Sequence, residues 1–260
     1  MAGVLRLYNR GEDVKRLQIG LNQHGYNLQV DGIFGQATEK AVKDFQKKHG
    51  LVVDGVVGYN TWKALGTTGP KCVDSSVIYE PLSSCITHSA NRQIKYLVIH
   101  YTAGTSSASG KAKALRNMWQ KKGDASADFG VDDTTMVQFN PDLHNTYCWA
   151  VSGGNGITNH NSISIEICSN LKKGTSASVP NHDGWFFTEA SLNNAVRLAK
   201  LLMRKFNIPI ERVVRHYDVT GKLCPGIIGW NNGYIYTEQG KRTNKKNNSA
   251  KWEAFKERLK

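Results

Sequence analysis

An internal repeat near the N-terminus is the feature that most narrows what this chain can fold into. The pattern Asp-Gly-x-x-Gly, followed three residues later by Thr, occurs over residues 31–38 and again over residues 54–61, an offset of 23 residues. Asp-Gly is typical of turns, and the second glycine permits backbone conformations that are closed to other residues. Each copy therefore predicts a turn followed by a helix, with Thr38 and Thr61 near the helix N-caps.

Apolar residues at helical spacing accompany the first turn. They are Val14, Leu17 and Leu21 before it and Ala41, Val42 and Phe45 after it. They predict one helix that begins near residues 11–13 and a second over about residues 37–49, and a shorter third helix is expected from Thr61. Residues 1–66 are therefore expected to form a small three-helix domain.

This arrangement resembles the peptidoglycan-binding domain found at the ends of many cell-wall hydrolases. The resemblance rests on GEDVKRLQ at residues 11–18, GY at residues 25–26, VDGIFG at residues 30–35 and AVKDFQ at residues 41–46. It covers nearly all of residues 4–66 and implies a wall-anchoring role without chemistry. It identifies no glycan-contacting residues.

Residues 67–89 are predicted to form a linker, because Gly, Pro and Ser are frequent there and apolar periodicity is weak. The cysteines are odd in number and too sparse for a disulfide framework: Cys72, Cys85, Cys148, Cys168 and Cys224. Cys72 and Cys85 flank part of the linker and either pair in an oxidising medium or remain thiols.

The charge balance is strongly positive, with 34 Lys and Arg against 21 Asp and Glu in 260 residues. Residues 241–260 alone hold eight Lys or Arg and two Glu. Such a surplus suits nucleic acid, anionic lipid or a teichoic-acid-bearing wall, or it is simply a solvated basic face. The chain contains no recognition-helix, finger or RNA-binding motif, which disfavours nucleic-acid binding as the main role. It also contains no apolar run of about 18 residues that would predict a membrane helix.

Two short apolar runs in the second half of the chain each end at a histidine. Residues 96–99 predict a buried strand that ends at His100, and residues 213–215 predict another that ends at His216. Either histidine alone would more often be a structural residue than a ligand. The loop that follows His216 therefore decides the interpretation.

That loop carries Lys222 and Cys224 within nine residues of His216, which packing alone does not explain. Imidazole nitrogen and thiolate sulfur suit zinc, and three protein ligands leave the fourth tetrahedral position for water, as in catalytic sites. The Cys-x-x-Cys spacing of a structural zinc site is absent from the sequence. We therefore interpret His100, His216 and Cys224 as ligands of a catalytic zinc.

Glu166 and Lys222 supply the other groups that a zinc hydrolase needs. The alternation over residues 161–167 predicts a strand with Glu166 on the face opposite its isoleucines, and residues 189–206 predict an amphipathic helix that packs on the sheet. Zinc lowers the pKa of bound water toward about 7 and polarises a carbonyl. Lys222 can then stabilise the oxyanion, and Glu166 can accept and return the proton.

Three motifs in this region resemble the zinc-dependent N-acetylmuramoyl-L-alanine amidases, a family that includes T7-type phage lysozymes and peptidoglycan recognition proteins. They are VIHYTAG at residues 98–104, NHNSISIE at residues 159–166 and RHYDVTGKLCPG at residues 215–226. The match covers about residues 90–230. It implies an α/β catalytic domain over residues 90–260, with a mixed β-sheet flanked by helices.

The resemblance also implies the roles of the site residues and the reaction. His100, His216 and Cys224 match the family's zinc ligands, and Lys222 and Glu166 match its catalytic residues. The expected enzyme is a peptidoglycan hydrolase that cleaves the amide between N-acetylmuramic acid and L-alanine. A non-catalytic recognition protein is the alternative, but such members typically lack the cysteine that is present here as Cys224.

Residues 1–12 have neither the apolar segment nor the small-residue cleavage site of a secretory signal peptide. We therefore expect a phage or prophage endolysin, made in the host cytoplasm and released to the wall through a holin pore. A bacterial autolysin exported by another route is the alternative. The expected partner is bacterial peptidoglycan, bound by a monomer without membrane insertion or specific nucleic-acid binding.

Two positions depart from the family pattern. Asp128 stands where members often carry Tyr or His, and it either points at the zinc-bound water or is a turn or cap residue. Ala150 stands where many members have the histidine of a Trp-His pair. His144 lies six residues earlier in the chain and is only a weak candidate to replace that histidine. Trp149 and Trp185 are candidate aromatic residues of the cleft, although Trp185 would more often belong to the core.

Overall fold

The computed structural model describes residues 5–66, 73–74, 76–89, 91–104 and 108–260. The chain divides into two compact units, Met1–Cys72 and Val73–Lys260. Within the described residues, no helix combines the length and the apolar character that crossing a membrane requires.

The N-terminal unit contains the three helices α1 (Glu12–Gln23), α2 (Gln36–Lys48) and α3 (Tyr59–Ala64). Its core is formed by large side chains with almost no solvent exposure: Leu17, Leu21, Phe34, Phe45 and Trp62. The predicted three-helix domain is therefore observed, and the helix predicted over about residues 37–49 lies within one residue of α2.

The two copies of the repeat share one local structure that is built on a buried glutamine. The side chain of Gln18 donates to the Asp31 carboxylate at 2.8 Å and accepts the Gly32 N–H at 2.9 Å. Gln46 repeats both bonds in the second copy, with Asp54 at 2.9 Å and Gly55 at 3.0 Å. Each glutamine thus fixes the turn that precedes the next helix.

The two repeat threonines are not the helix caps. The N-cap residues of α2 and α3 are Gly35 and Gly58, and glycine has no side chain with which to cap a helix. Thr38 and Thr61 lie within the first helical turn, where both are buried and accept a hydrogen bond from the repeat's glutamine. The prediction was wrong because these threonines complete the glutamine network behind the turn and leave the helix N-termini to glycine.

The second unit contains twelve strands and four helices within its described residues. In chain order they are β1 (Ile78–Tyr79), β2 (Ile86–His88), β3 (Tyr96–Tyr101), α4 (Lys111–Lys122), β4 (Phe129–Val131), β5 (Met136–Gln138), β6 (Thr146–Cys148), β7 (Ser162–Ile167), β8 (Asn170–Leu171), β9 (Trp185–Phe186), α5 (Glu189–Phe206), β10 (Val213–Arg215), α6 (His216–Thr220), β11 (Tyr234–Tyr236), β12 (Arg242–Lys246) and α7 (Ala250–Glu257).

Six of these strands form the central sheet, in the order β1-β5-β4-β7-β3-β10. Only the β4–β5 pairing within this sheet is antiparallel, so the predicted mixed sheet is observed. The isoleucines of β7 are fully buried, and α5 spans the range predicted for the amphipathic helix. The sheet is thus the rigid element from which the strand-end residues project.

The segment predicted as a linker, residues 67–89, belongs in part to the second unit. Strand β1 pairs with the edge strand β5, β2 pairs with β6, and Leu82 is buried in the core. Strands of two or three residues are too short to show an apolar alternation, which is why the sequence pattern missed them. Cys72 lies outside the described residues, whereas Cys85 is buried and its thiol donates to the Trp119 carbonyl at 3.3 Å.

The basic C-terminal segment is folded rather than a solvated helix end. Strands β11 and β12 pair in antiparallel fashion, and α7 follows them. Trp252 and Phe255 of α7 are buried beside Trp230, with ring centroids 6.0 and 5.3 Å from that indole. Residues 228–260 therefore form a structured layer of the second unit.

Candidate metal centre

Three neighbouring strands bring the predicted site residues to one end of the sheet. His100 on β3 is directly opposite Glu166 on β7 in the parallel register. Arg215 on β10 pairs with Ile99 of β3, so His216, the next residue, lies beside His100. Parallel pairing of the three strands thus places two histidines and one carboxylate in a row.

His100, His216 and Cys224 converge on a common point. Their candidate ligand atoms all lie within 4.8 Å of one another, and all three residues are buried. The two Nδ1 atoms are 3.1 Å apart, and the Cys224 Sγ is 3.7 Å from the His100 Nδ1. Ligands on a tetrahedral zinc, with bonds of about 2.05 Å to nitrogen and 2.3 Å to sulfur, would be separated by about 3.3 Å and about 3.6 Å.

The electrostatic environment keeps both histidines neutral. Burial lowers the pKa of His100 well below its usual value, and the neighbouring His216 and Lys222 lower it further. Burial and Lys222 lower the pKa of His216 to about 4. Both imidazoles therefore present lone pairs at neutral pH, the form in which histidine binds a metal.

The Cys224 thiol is protonated in the absence of a cation. Burial raises the pKa of Cys224 above its usual value, and the nearby Glu166 carboxylate raises it further. A cation held by the three side chains would favour the thiolate, so metal binding at this site would release a proton.

Glu166 is partly buried, and one of its two carboxylate oxygens is buried without a partner. Its Oε2 atom and the Nε2 atom of His100 have no hydrogen-bond partner among the described residues. Burial raises the pKa of Glu166 to about 7, although the positive charge of Lys222 opposes the rise. A carboxyl group that titrates near neutral pH can both accept and return a proton under physiological conditions.

These groups lie in one cleft with a volume of about 640 Å³. Its lining includes His100, His216, Cys224, Glu166 and Lys222. The five residues that the sequence assigned to the site are therefore brought together by the fold. An open cleft of this size admits a polymer segment together with its side chain.

The lining of the cleft also includes Met118, Lys122 and Asp124, which the sequence analysis had not assigned to it, and Trp149, which it had. Met118 and Lys122 are four residues apart on α4, a spacing that places two side chains on one helix face. The sequence does not reveal that Met118 is exposed, so no sequence signal identified this part of the lining. Trp149 is 38 % exposed, and its indole N–H donates to the Thr87 hydroxyl at 2.9 Å.

Asp128 has neither of the roles that the sequence left open. It is buried away from the cleft lining, accepts the Ser164 N–H at 2.8 Å and lies 3.9 Å from the Arg92 guanidinium. Arg92 in turn donates to carbonyl groups of several loops, including those of Leu143 and Asn159. Asp128 therefore belongs to a buried polar network that joins β7 to the neighbouring loops.

Two other sequence candidates also lie outside the cleft lining. His144 packs beside Phe206, with ring centroids 5.5 Å apart. Trp185 is buried and its indole N–H donates to the Val179 carbonyl at 2.7 Å, so it belongs to the core. Of the two tryptophans considered for the cleft, only Trp149 lines it.

The fold and the site together define an α/β protein with a buried His-His-Cys cluster at the end of a mixed sheet. Residues 90–227 match the family model of N-acetylmuramoyl-L-alanine amidases, and residues 10–65 match that of a peptidoglycan binding domain. Because the first match covers more than half of the sequence, the chain belongs to the N-acetylmuramoyl-L-alanine amidase family.

Individual relatives agree with this assignment. The N-acetylmuramoyl-L-alanine amidase CwlH of Bacillus subtilis (strain 168) is 35 % identical over 130 residues, which are 50 % of this chain and 46 % of that protein. The chain thus matches less than half the length of this curated relative. The solved catalytic domain of XlyA has a TM-score of 0.50 at 26 % identity and covers 71 % of this chain and 99 % of its own. A mutant endolysin from Bacillus subtilis has a TM-score of 0.51 at 27 % identity, over 71 % of this chain and 98 % of its own.

Proposed function

We propose that this chain is a zinc-dependent amidase that hydrolyses the bond between N-acetylmuramic acid and L-alanine in peptidoglycan. The observation that carries the proposal is the convergence of His100, His216 and Cys224 within 4.8 Å, in a chain of the amidase family. Their separations and their chemistry suit zinc, which takes imidazole nitrogen and thiolate sulfur together. The non-catalytic alternative is disfavoured because the set of three ligands is complete.

When bound, zinc would activate a water molecule and polarise the scissile carbonyl. His100 and His216 would hold the metal as neutral imidazoles, and Cys224 would hold it as a thiolate. Glu166 would take a proton from the attacking water on its free Oε2 atom and pass it to the nitrogen of the leaving amine. The Lys222 ammonium would donate to the carbonyl oxygen as negative charge develops there.

The N-terminal unit would hold the enzyme on its polymeric substrate. Residues 10–65 match a peptidoglycan binding domain, and a second contact with one polymer raises the effective concentration of the catalytic unit near the bond to be cut. Together with the likeness to an endolysin structure, this supports a phage or prophage endolysin that acts on the wall after its release through a holin. An exported bacterial autolysin is the alternative.

The proposal is tested with the full chain and purified Bacillus subtilis peptidoglycan. Zinc is counted by elemental analysis, and newly exposed amino termini are labelled and identified after digestion. We expect one zinc per chain and new N-terminal alanine, with product formation lost on chelation and restored by zinc.

A different experimental result would contradict each part of the proposal. Zinc binding without new alanine termini would contradict the amidase reaction but leave the metal centre in place. New alanine termini that survive complete removal of zinc would contradict the metal-dependent mechanism. A folded chain that takes up no zinc would overturn the assignment of His100, His216 and Cys224.

A further inference from the structure

Two asparagines form a buried pair behind the metal centre. Asn181 and Asn231 are fully buried, and each side-chain amide donates to the other's carbonyl oxygen at 2.8 Å. The Asn231 oxygen also accepts the Gly233 N–H at 2.9 Å. A buried polar pair with all of its bonds made is rigid, and it is costly to disturb because any group left unpaired has lost its contact with water.

The pair holds the backbone that follows Cys224. The Asn231 amide donates to the Pro225 carbonyl at 2.7 Å, and the Asn181 N–H donates to the Gly226 carbonyl, also at 2.7 Å. Because proline has no N–H, this stretch of loop depends on its carbonyl groups for anchoring. The Cys224 carbonyl itself accepts the Tyr217 N–H at 2.9 Å. Three successive carbonyls are therefore fixed, starting at the residue that carries the sulfur ligand.

The same pair is tied to the folded C-terminal layer. The Asn181 amide donates to the Tyr234 carbonyl at 3.1 Å, and the Tyr236 N–H donates to the Asn181 carbonyl at 3.0 Å. Both tyrosines belong to β11, which lies beyond the residues that match the amidase family model. Residue 180, next to Asn181, lines the cleft. Strand β11 is therefore connected, through one asparagine pair, to both the Cys224 loop and the cleft wall.

We propose that Asn181 and Asn231 are positioning residues that orient the Cys224 thiol and thereby set the affinity of the site for its metal. This inference rests on the proposed zinc centre. Neither asparagine touches the metal-binding atoms, so their effect is transmitted through the backbone of residues 224–226. Removing a group that orients the ligands of a metal typically changes metal affinity by about 10- to 100-fold.

The test compares Asn231→Leu with Asn140→Leu. Asn140 is an equally buried asparagine of the same unit, whose amide donates to Asp128 and to the Thr146 carbonyl and makes no contact with the Cys224 loop. Zinc affinity of the full chain is measured by competition with a chromogenic chelator, after circular dichroism has established that the metal-free variants are folded. Cobalt(II) absorption reports the geometry of the thiolate ligand independently of activity.

We expect Asn231→Leu to weaken zinc binding by about 10- to 100-fold and to alter the cobalt–thiolate absorption. Asn140→Leu should lower the thermal stability but leave both measurements unchanged. Should Asn231→Leu not fold, Asn231→Asp takes its place, because it keeps the shape and the bond from Gly233 but loses the donations to Pro225 and Asn181. The same loss of affinity is then expected.

Unchanged zinc affinity and an unchanged cobalt spectrum in a folded Asn231 variant would overturn the inference and leave the pair with a structural role only. Equal losses in the Asn231 and Asn140 variants would overturn it as well, because the effect would then be general destabilisation. If the unmodified chain is folded and binds no zinc, the proposed metal centre itself fails. That outcome is distinguishable because it appears before any substitution is made.

Discussion

Buried polar side chains differ between the repeat of the N-terminal unit and the cleft of the second unit. In the N-terminal unit, Gln18 and Gln46 are buried with their amides bonded on both sides. In the second unit, the described residues include buried polar atoms without partners, on His100, Thr135 and Glu166. Two of these three residues line the cleft.

This difference distinguishes side chains that stabilise the fold from side chains that are available to bind a ligand. A buried polar atom left without a partner costs about 1–3 kcal/mol, so such an atom inside a cleft is a candidate contact for a ligand. The satisfied glutamines fix turns and leave nothing for a ligand. The unsatisfied Oε2 atom of Glu166 lies in the cleft, where water or a substrate would supply the missing partner. The contrast leads to predictions in which substitutions in the cleft mainly affect chemistry and substitutions in the repeat affect only stability.

The largest effect is expected from Cys224→Ser, because a serine hydroxyl is a poor zinc ligand at neutral pH. We expect loss of zinc and a fall in turnover on the order of 10⁴-fold, since the metal contributes several kcal/mol to the transition state. The matched control is Cys168→Ala, which removes another buried free thiol outside the cleft lining. Elemental analysis and initial rates on peptidoglycan check both variants. Full zinc content in Cys224→Ser would contradict the ligand assignment.

Glu166→Gln should separate proton transfer from metal binding. The amide keeps the shape of the side chain but cannot take a proton from water, so we expect kcat to fall by about 10³-fold. Zinc content should not change, because Glu166 is outside the group of converging ligands. Steady-state kinetics with a soluble muropeptide and metal analysis of the same sample provide the two readouts. A variant with unaltered kcat would remove Glu166 from the mechanism.

The same substitution should change the pH dependence of stability in the metal-free protein. Burial raises the pKa of Glu166 from 4.5 to about 7, so between these values the folded state holds a proton that the unfolded state has lost. The free energy of unfolding should therefore decrease as the pH rises through this range, by an amount on the order of 3 kcal/mol from this group. Urea unfolding at several pH values, compared with Glu166→Gln, isolates the contribution. Identical slopes in the two proteins would contradict it.

The two copies of the repeat should lose similar amounts of local stability when their glutamines are replaced. Gln18→Ala and Gln46→Ala each leave a buried turn amide unpaired, which should cost about 1–2 kcal/mol of local stability. Hydrogen exchange should accelerate at the Gly32 amide in the first variant and at the Gly55 amide in the second. The control is Gln23→Ala, since Gln23 is exposed on the same helix as Gln18. Hydrolysis of a soluble muropeptide should be unaffected in all three, and a loss of kcat there would contradict the separation of the two units.

Sequence reasoning placed the candidate site residues together more successfully than it predicted the contacts around them. His100, Glu166 and His216 could be predicted because a strand end fixes where a side chain goes, and parallel register then aligns neighbouring ends. Thr38 was misassigned because its partner, Gln18, is 20 residues away, and such a bond leaves no local pattern. The role of Asp128 depends on Arg92 and Ser164, each of which is 36 residues away from it along the chain.

The structure of the C-terminal layer, residues 228–260, likewise could not be predicted from local sequence patterns. Asn231 carries no motif, and its importance arises only from contacts with Asn181 and Pro225 that the fold creates. Charge counting described this region as a basic tail, because Lys and Arg dominate its composition. Its buried Trp252 and Phe255 were too few to produce a strong apolar period.

The smallest effect is expected from Trp149, which lines the cleft and has an exposed ring. A substrate that covers this ring would bury apolar surface worth about 1 kcal/mol, so Trp149→Ala should raise KM by about 5-fold and leave kcat unchanged. Trp149→Phe keeps an aromatic face but loses the bond to Thr87. Its KM should therefore lie between those of the unmodified protein and Trp149→Ala. Phe186→Ala is the control, since Phe186 is similarly exposed, at 39 %, but does not line the cleft. A change in kcat without a change in KM would show that Trp149 acts on the chemical step, and would contradict its role as a residue that only binds the substrate.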